Sequence, residues 1–279
     1  MKKAFLLAHP AGHSISPVMH NAAFHALGIA AEYRALDISP DALADTVETL
    51  CKSDVIGANV TIPHKLAVMP FMDELSPDAE AIGAVNTVVN KSGYLFGHNT
   101  DASGYLRALK EDANFDPADK NVVVLGAGGA ARAVVYALIQ AGAKQIAIHN
   151  RTQEKAETLI KTFKDDTKLE IISHSLLEDF VHTCDLLINT TSVGMEKSGK
   201  DTNESPLPEG ILPETGFVSD IVYRPAKTKL LRNAASRGLS VQNGLPMLVY
   251  QGAESFRYWT AQDAPISVMF GAVNDVLDS

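Results

Sequence analysis

Apolar and polar positions alternate along this chain in two rhythms. Short apolar runs fall at 3–8, 32–37 and 55–60, whereas 16–27 and 40–51 return an apolar residue every three or four positions. The first rhythm predicts strands and the second helices, so the chain opens strand, helix, strand, helix, strand. Pro17, just inside a helix that Ser16 can cap, marks a helix start. Residues 84–99 read as two short strands split by the turn Asn90-Lys91-Ser92-Gly93, and 100–111 as a helix. A polar stretch over 112–120 follows, and then the alternation resumes. Strands are predicted at 121–125, 145–150, 169–173, 185–189 and 217–222, with helices at 130–141, 153–163 and 227–237. Residues 196–213, rich in Lys, Ser, Gly, Pro and Asp, predict an exposed loop. The tail, 244–279, reads as two helices parted near Asp263-Ala264-Pro265. This grammar specifies an α/β protein of two domains with mostly parallel sheets: 1–111, joined by the returning helices of 245–279, and 112–244.

Composition changes the picture only by exclusion. The length of 279 residues suits two domains, and 46% hydrophobic with 20% charged residues is ordinary for a globular protein. A formal charge of -9 with no dense Lys/Arg run argues against nucleic acid as a partner. Any anion must then be bound by local cations and helix N-termini. Cys51 and Cys184 form no CxxC pair and are expected as buried thiols. Met1-Lys2-Lys3 precedes an apolar run that stops at His9-Pro10, which suits a first strand better than a leader. No run of about 20 apolar residues occurs, so no membrane partner is expected and the cytoplasm is the default compartment. A homodimer is compatible with this pattern.

The most specific chemical signal is Val122-Val123-Val124-Leu125-Gly126-Ala127-Gly128-Gly129-Ala130-Ala131-Arg132, a strand that passes through a glycine turn into a helix. Gly126 permits the tight turn, Gly128 lets backbone amides approach a pyrophosphate, and Ala131 keeps helix and strand close. Gly129 and Ala130 open the helix, whose N-terminus carries about half a positive charge. The same turn without a ligand is the bland alternative, but the strand before and the helix and strand after make 112–244 a Rossmann-like doubly wound domain that binds a dinucleotide. Some 20 to 25 residues on, NAD users place a carboxylate on the ribose. Here stand Asn150, Arg151 and Thr152 instead, and Arg151 can pair with the extra phosphate of NADP. The competing reading makes Thr152 a cap and Arg151 a surface cation. Absence of the acid favours NADP.

In the first half, Gly57-Ala58-Asn59-Val60-Thr61-Ile62-Pro63-His64-Lys65 runs off a strand and into a helix expected to open at Pro63. Ligands of open α/β sheets bind beyond the carboxyl ends of strands. Lys65 would lie in the first turn of that helix, where the dipole disfavours a cation and eases proton release. Gly97-His98-Asn99-Thr100-Asp101 repeats the arrangement with a carboxylate. Separately each is more often a surface or helix-start residue; together they offer an acid/base pair. Asn59, Thr61, Asn86 and Asn99 supply neutral donors and acceptors for a polyhydroxylated ligand, or serve turns and caps. Residues 194–200 nearly spell a phosphate loop, but Asp201 replaces the needed hydroxyl. No H-E-x-x-H and no Cys/His spacing for zinc occurs, so no metal is expected. No G-x-S-x-G nucleophile turn is present either.

These motifs closely resemble those of bacterial shikimate dehydrogenases over essentially the whole chain. Further matching segments are His13-Ser14-Ile15-Ser16-Pro17, Gly83-Ala84-Val85-Asn86-Thr87, Asn189-Thr190-Thr191-Ser192-Val193-Gly194-Met195, Asp220-Ile221-Val222-Tyr223-Arg224-Pro225 and Gln251-Gly252-Ala253. The resemblance implies NADPH-dependent reduction of 3-dehydroshikimate to shikimate. It implies that Ser14, Ser16, Asn59, Thr61, Asn86, Asp101, Tyr223 and Gln251 hold shikimate, with Lys65 and Asp101 as the catalytic pair. Thr190, Ser192, Met195, Ile221, Gly244 and Met247 would line the cofactor site. Ala261 departs from the glycine that many members carry after the Trp-Thr pair. Two rivals are kept: a quinate/shikimate dehydrogenase using NAD, opposed by Asn150-Arg151-Thr152 and by Ser16, and a non-catalytic dinucleotide sensor, which need not keep Lys65 and Asp101.

Overall fold

The computed structural model describes residues 1–12, 14–163, 168–196 and 202–277. His13 of the first motif and 197–201 of the near phosphate loop lie outside the described residues. By contact the chain divides into two units, Met1–Gly104 with Leu248–Ser279, and Tyr105–Met247. Among the described residues no helix is long and apolar enough to cross a membrane.

The first unit holds a six-stranded sheet in the order β2-β1-β3-β5-β6-β4. The strands are β1 (Lys2–Ala8), β2 (Ala31–Asp37), β3 (Val55–Val60), β4 (Glu74–Leu75), β5 (Thr87–Lys91) and β6 (Tyr94–His98). Strands β2, β1 and β3 run parallel, and β5 and β6 form an antiparallel hairpin against them. Ser92 and Gly93 both take positive φ in its turn, the backbone that matches the strand twist. One face packs α2 (Leu43–Leu50) onto Leu7, Val60, Val88 and Leu95. Also in this unit, α1 (Ser16–Ala26) packs against α10 (Ile266–Leu277), so the C-terminal tail returns as the sequence predicts. Ser16 is not the cap expected: Ile15 takes that position and Ser16 is the first helical residue.

The larger departure concerns Pro63. Residues 61–68 form turns followed only by a short 3-10 helix at Met69–Phe71. The Lys65 carbonyl accepts from the Val85 amide at 2.8 Å, and Pro70 has no amide to offer Leu66, so an α-helix cannot propagate there. Lys65 therefore does not lie in the first turn of a helix. The helix of this region, α3 (Pro77–Ile82), starts later, where the Ser76 hydroxyl accepts from the Ala79 amide.

The second unit holds six strands, all parallel, in the order β12-β11-β10-β7-β8-β9. They are β7 (Asn121–Leu125), β8 (Gln145–His149), β9 (Leu169–Ile171), β10 (Leu186–Asn189), β11 (Phe217–Asp220) and β12 (Ser240–Gln242). Counted within the unit this is 3-2-1-4-5-6, the doubly wound order, whose direction reverses between β7 and β10. Val122–Leu125 are buried because helices cover both faces. The connections include α5 (Gly129–Gln140), α6 (Gln153–Thr162), α7 (Leu177–Thr183) and α8 (Lys229–Ser236). The expected loop over 196–213 is not wholly exposed: Leu207 and Leu212 sit in the core with Leu187 and Val218. Cys184 is buried as expected, but Cys51, at the end of α2, is exposed.

Candidate active site

In the first unit the polar residues collect at the carboxyl ends of β1 and β3 and at the start of α4 (Asp101–Arg107). Lys65 forms an ion pair with Asp101 through its Oδ2, and both side chains are largely buried, at 12% and 6% exposure. The other carboxylate oxygen accepts from Asn86 Nδ2 at 2.8 Å. Asn86 Oδ1 accepts from the Thr100 amide at 2.8 Å and the Thr87 hydroxyl at 3.0 Å. Because a backbone N–H can only donate, the orientation of the Asn86 amide is fixed, and its NH2 faces Asp101. The same NH2 lies 3.3 Å from Gln251 Oε1. Asn99 accepts from the Asp101 amide at 3.0 Å and donates to the Ala84 carbonyl at 2.9 Å, which ties the turn before α4 to the strand edge.

Asn59 sits behind this group. Its oxygen accepts from Tyr33 at 2.9 Å and its nitrogen donates to Ser255 at 2.9 Å, while Ser255 and Thr87 lie 2.7 Å apart. Ser14 and Ser16 form their own pair at 3.2 Å, and Thr61 is anchored through its amide to the Leu7 carbonyl. Of the residues predicted to hold substrate, Asn59, Asn86, Asp101 and Gln251 thus share one hydrogen-bonded network, which the catalytic candidate Lys65 joins through Asp101. Tyr223 belongs to the second unit.

There, Gly126 has φ +115°, and a Cβ on it would lie 2.5 Å from Thr190 Oγ1, so only glycine fits. Thr190 donates to the Leu125 carbonyl at 2.7 Å, pinning the loop after β10 to the glycine turn at the point where strand order reverses. Gly128 caps α5 without a side chain and has open space around it. The first amides of α5 consequently have no helical partner and face a gap that a side chain would fill, a cradle that suits a pyrophosphate. After β8, Asn150 donates to the Thr152 carbonyl at 2.7 Å, and Arg151 is exposed with no ion pair among the described residues. Thr152 stands at the cap of α6 but makes no side-chain cap bond. Met195 is exposed, and its amide donates to the Ser192 carbonyl. After β11 and β12, Ile221 and Gly244 approach so closely that a Cβ on Gly244 would meet the Ile221 carbonyl at 1.9 Å. Met247 is buried nearby in sequence.

Three family models match the chain: "Shikimate dehydrogenase substrate binding domain" at 6–88, "Shikimate / quinate 5-dehydrogenase" at 108–208 and "Shikimate 5'-dehydrogenase C-terminal domain" at 244–273. Shikimate dehydrogenase (NADP(+)) of Geobacillus sp. strain WCH70 is 46% identical over 261 residues, 93% of each chain. The chain belongs to the shikimate dehydrogenase family. Among solved structures, shikimate 5-dehydrogenase of Thermus thermophilus, in complex with NADP(H) and shikimate, is 42% identical with a TM-score of 0.88, covering 99% of this chain and 100% of that one. Quinate dehydrogenase of Corynebacterium glutamicum, in complex with NAD, is 29% identical with a TM-score of 0.86, covering 98% and 99%.

Sequence reasoning gave no role to Thr87, Thr100, Tyr33 or Ser255, although each is buried in the network of this dehydrogenase. Ser255 follows Gln251 by one helical turn, a spacing that shares a face and could have marked it. Asp220 also went without a role. It is wholly buried at the end of β11, and burial pushes its carboxyl up to about 6.

Proposed function

We propose that this chain reduces 3-dehydroshikimate to shikimate with NADPH, reversibly, in the supply of aromatic amino acids, and that it works in the cytoplasm. The observation that carries the reading is the buried Lys65–Asp101 pair, held by Asn86, in a member of the shikimate dehydrogenase family. Burying an ion pair costs several kcal/mol in desolvation, which a non-catalytic sensor would have no reason to bear.

The chemistry a bound NADPH would supply is a hydride for the carbonyl carbon of the substrate. The chain must then deliver one proton to the carbonyl oxygen. Lys65 donates it from its ammonium, and in the reverse direction takes it back from the ring hydroxyl. Asp101, an acceptor at both oxygens, fixes the ammonium and holds the hydroxyl, while Asn86 keeps the carboxylate in place. Asn59, Thr61, Gln251 and the Ser14–Ser16 pair orient the remaining hydroxyls and the carboxylate of the substrate. The amides of Gly126–Ala130 hold the pyrophosphate and Asn150, Arg151 and Thr152 the extra phosphate. Thr190, Ser192, Met195, Ile221, Gly244 and Met247 receive the remaining half.

Steady-state assays that cross shikimate and quinate with NADP and NAD test this directly. The highest kcat/KM is expected for shikimate with NADP. A higher value for quinate with NAD would overturn the assignment in favour of the activity that the Corynebacterium relative carries in its name.

A further inference from the structure

The motif Asp220 to Pro225 lies in the second unit and its carboxylate touches none of the groups assigned above, yet that carboxylate joins three separate pieces of the fold. Asp220 Oδ1 accepts from Asn189 Nδ2 at 2.9 Å and from the Val222 amide at 3.0 Å. Its Oδ2 accepts from the Thr228 hydroxyl at 2.7 Å, and Thr228 is the cap of α8. Asn189 in turn accepts from the Thr191 amide and hydroxyl at 3.0 and 2.7 Å and donates to the Val193 carbonyl at 3.2 Å, so it shapes the whole loop after β10. The Val222 carbonyl accepts from the Gly244 amide at 3.1 Å. One buried carboxylate therefore fixes the loops that carry Thr190 to Met195, Ile221 to Tyr223 and Gly244. No cation pairs with it among the described residues; three neutral donors alone hold it. An uncompensated buried charge is costly, and a neutral residue could fill the space more cheaply.

In a doubly wound sheet a dinucleotide straddles the reversal of strand order, with its adenosine half over the glycine turn and the next strand and its other half over the opposite strands. We propose that Asp220 is a positioning residue for the nicotinamide half of the cofactor, acting through Asn189 and Val222 on the loops after β10 and β11. The inference rests on the NADP reading above.

Calorimetric titration of the full-length protein with two ligands separates the alternatives. Adenosine 2′,5′-bisphosphate presents the adenosine half and extra phosphate alone; NADP presents both halves. In Asp220→Ala, NADP is expected to bind about tenfold more weakly or worse while the bisphosphate keeps its wild-type affinity. Asp220→Asn retains an acceptor for Asn189 and Val222 and can donate to Thr228, so it should recover most of the loss. Thr228→Val removes one of the three donors to Asp220, together with the bond by which the hydroxyl caps α8 at the Leu231 amide, and should show the same selectivity to a smaller degree, which keeps the test alive if Asp220→Ala does not fold. Equal weakening of both ligands in these variants, or no weakening of NADP, would overturn the proposal. Failure of the wild type to bind either ligand would instead remove the cofactor reading on which it rests.

Discussion

The two units solve the same placement problem with different materials. Each gathers its candidate site at the carboxyl ends of parallel strands, but in the first the working surface is made of side chains and in the second of backbone. Lys65, Asp101, Asn86, Gln251, Asn59, Thr87 and Ser255 are joined by hydrogen bonds between 2.7 and 3.3 Å, the ion pair apart. Gly126 to Ala130 present amides and space, and Arg151, the cation of the segment after β8, stands in solvent. The difference follows from what each must do. Moving a proton demands groups whose geometry is set before substrate arrives, because reorganisation would add to the barrier. Holding phosphate demands only a field and donors, which a helix N-terminus has by construction.

The sharpest way to break this contrast is Lys65→Ala. Turnover is expected to fall by a factor on the order of 10² or more, as for a lost acid/base group, while shikimate still binds. Stopped assays and equilibrium titration check the two halves of that statement, and wild-type turnover would remove Lys65 from the mechanism. Arg151→Ala probes the other unit, where one exposed cation is set against extra phosphate. The Michaelis constant for NADP should rise on the order of tenfold, with little change for NAD. Equal changes for both cofactors would refute phosphate pairing.

The same contrast governs what could be read from the sequence. Strand-helix alternation and the glycine turn are local patterns, and the elements they predict are found, including the doubly wound sheet and the returning tail. The helix expected at Pro63 is absent because local signals favour it while a bond from Val85, twenty residues away, claims the Lys65 carbonyl. Short α7 and β12 escape prediction because neither is long enough to establish a period. Lys65 and Asp101 stand out through motif context. Tyr33, which closes the network on Asn59, carries no local mark at all; only the pairing of β1 with its neighbours brings it there.

A third test uses buried titratable groups, which differ in sign between the units. His20 is wholly buried in the first unit, stacked on Tyr33 at 4.5 Å, and burial pushes its pKa from 6.5 down to about 3. Below pH 6.5 the unfolded chain takes up a proton that the folded chain refuses until about pH 3, so stability falls with acidification across that window. The limiting slope is about 1.4 kcal/mol per pH unit. Asp220 has the opposite effect: its raised carboxyl binds a proton in the folded state first, so between its ordinary value and about 6 the second unit gains stability as pH falls. His20→Phe should shift acid unfolding of the first unit to lower pH, followed by circular dichroism. Unfolding at the wild-type pH would show that some other group controls the transition.

The smallest expected effect concerns the end of α9 (Leu245–Thr260). Ala261 has φ +56° and its amide donates to the Arg257 carbonyl at 2.8 Å, the left-handed cap that glycine usually fills. A Cβ in that conformation costs roughly 1–2 kcal/mol, while glycine's freedom in the unfolded chain takes back roughly 0.5–1 kcal/mol. The side chain is exposed, so its methyl group loses little packing when removed. Ala261→Gly should therefore raise stability by about 0.5–1 kcal/mol, a shift of roughly 1–4 °C in Tm for a domain of this size. Because the cap belongs to the first unit, the gain should appear in its unfolding transition and leave NADP affinity untouched. A lower Tm would mean that the methyl group makes a contact worth more than the backbone strain it imposes.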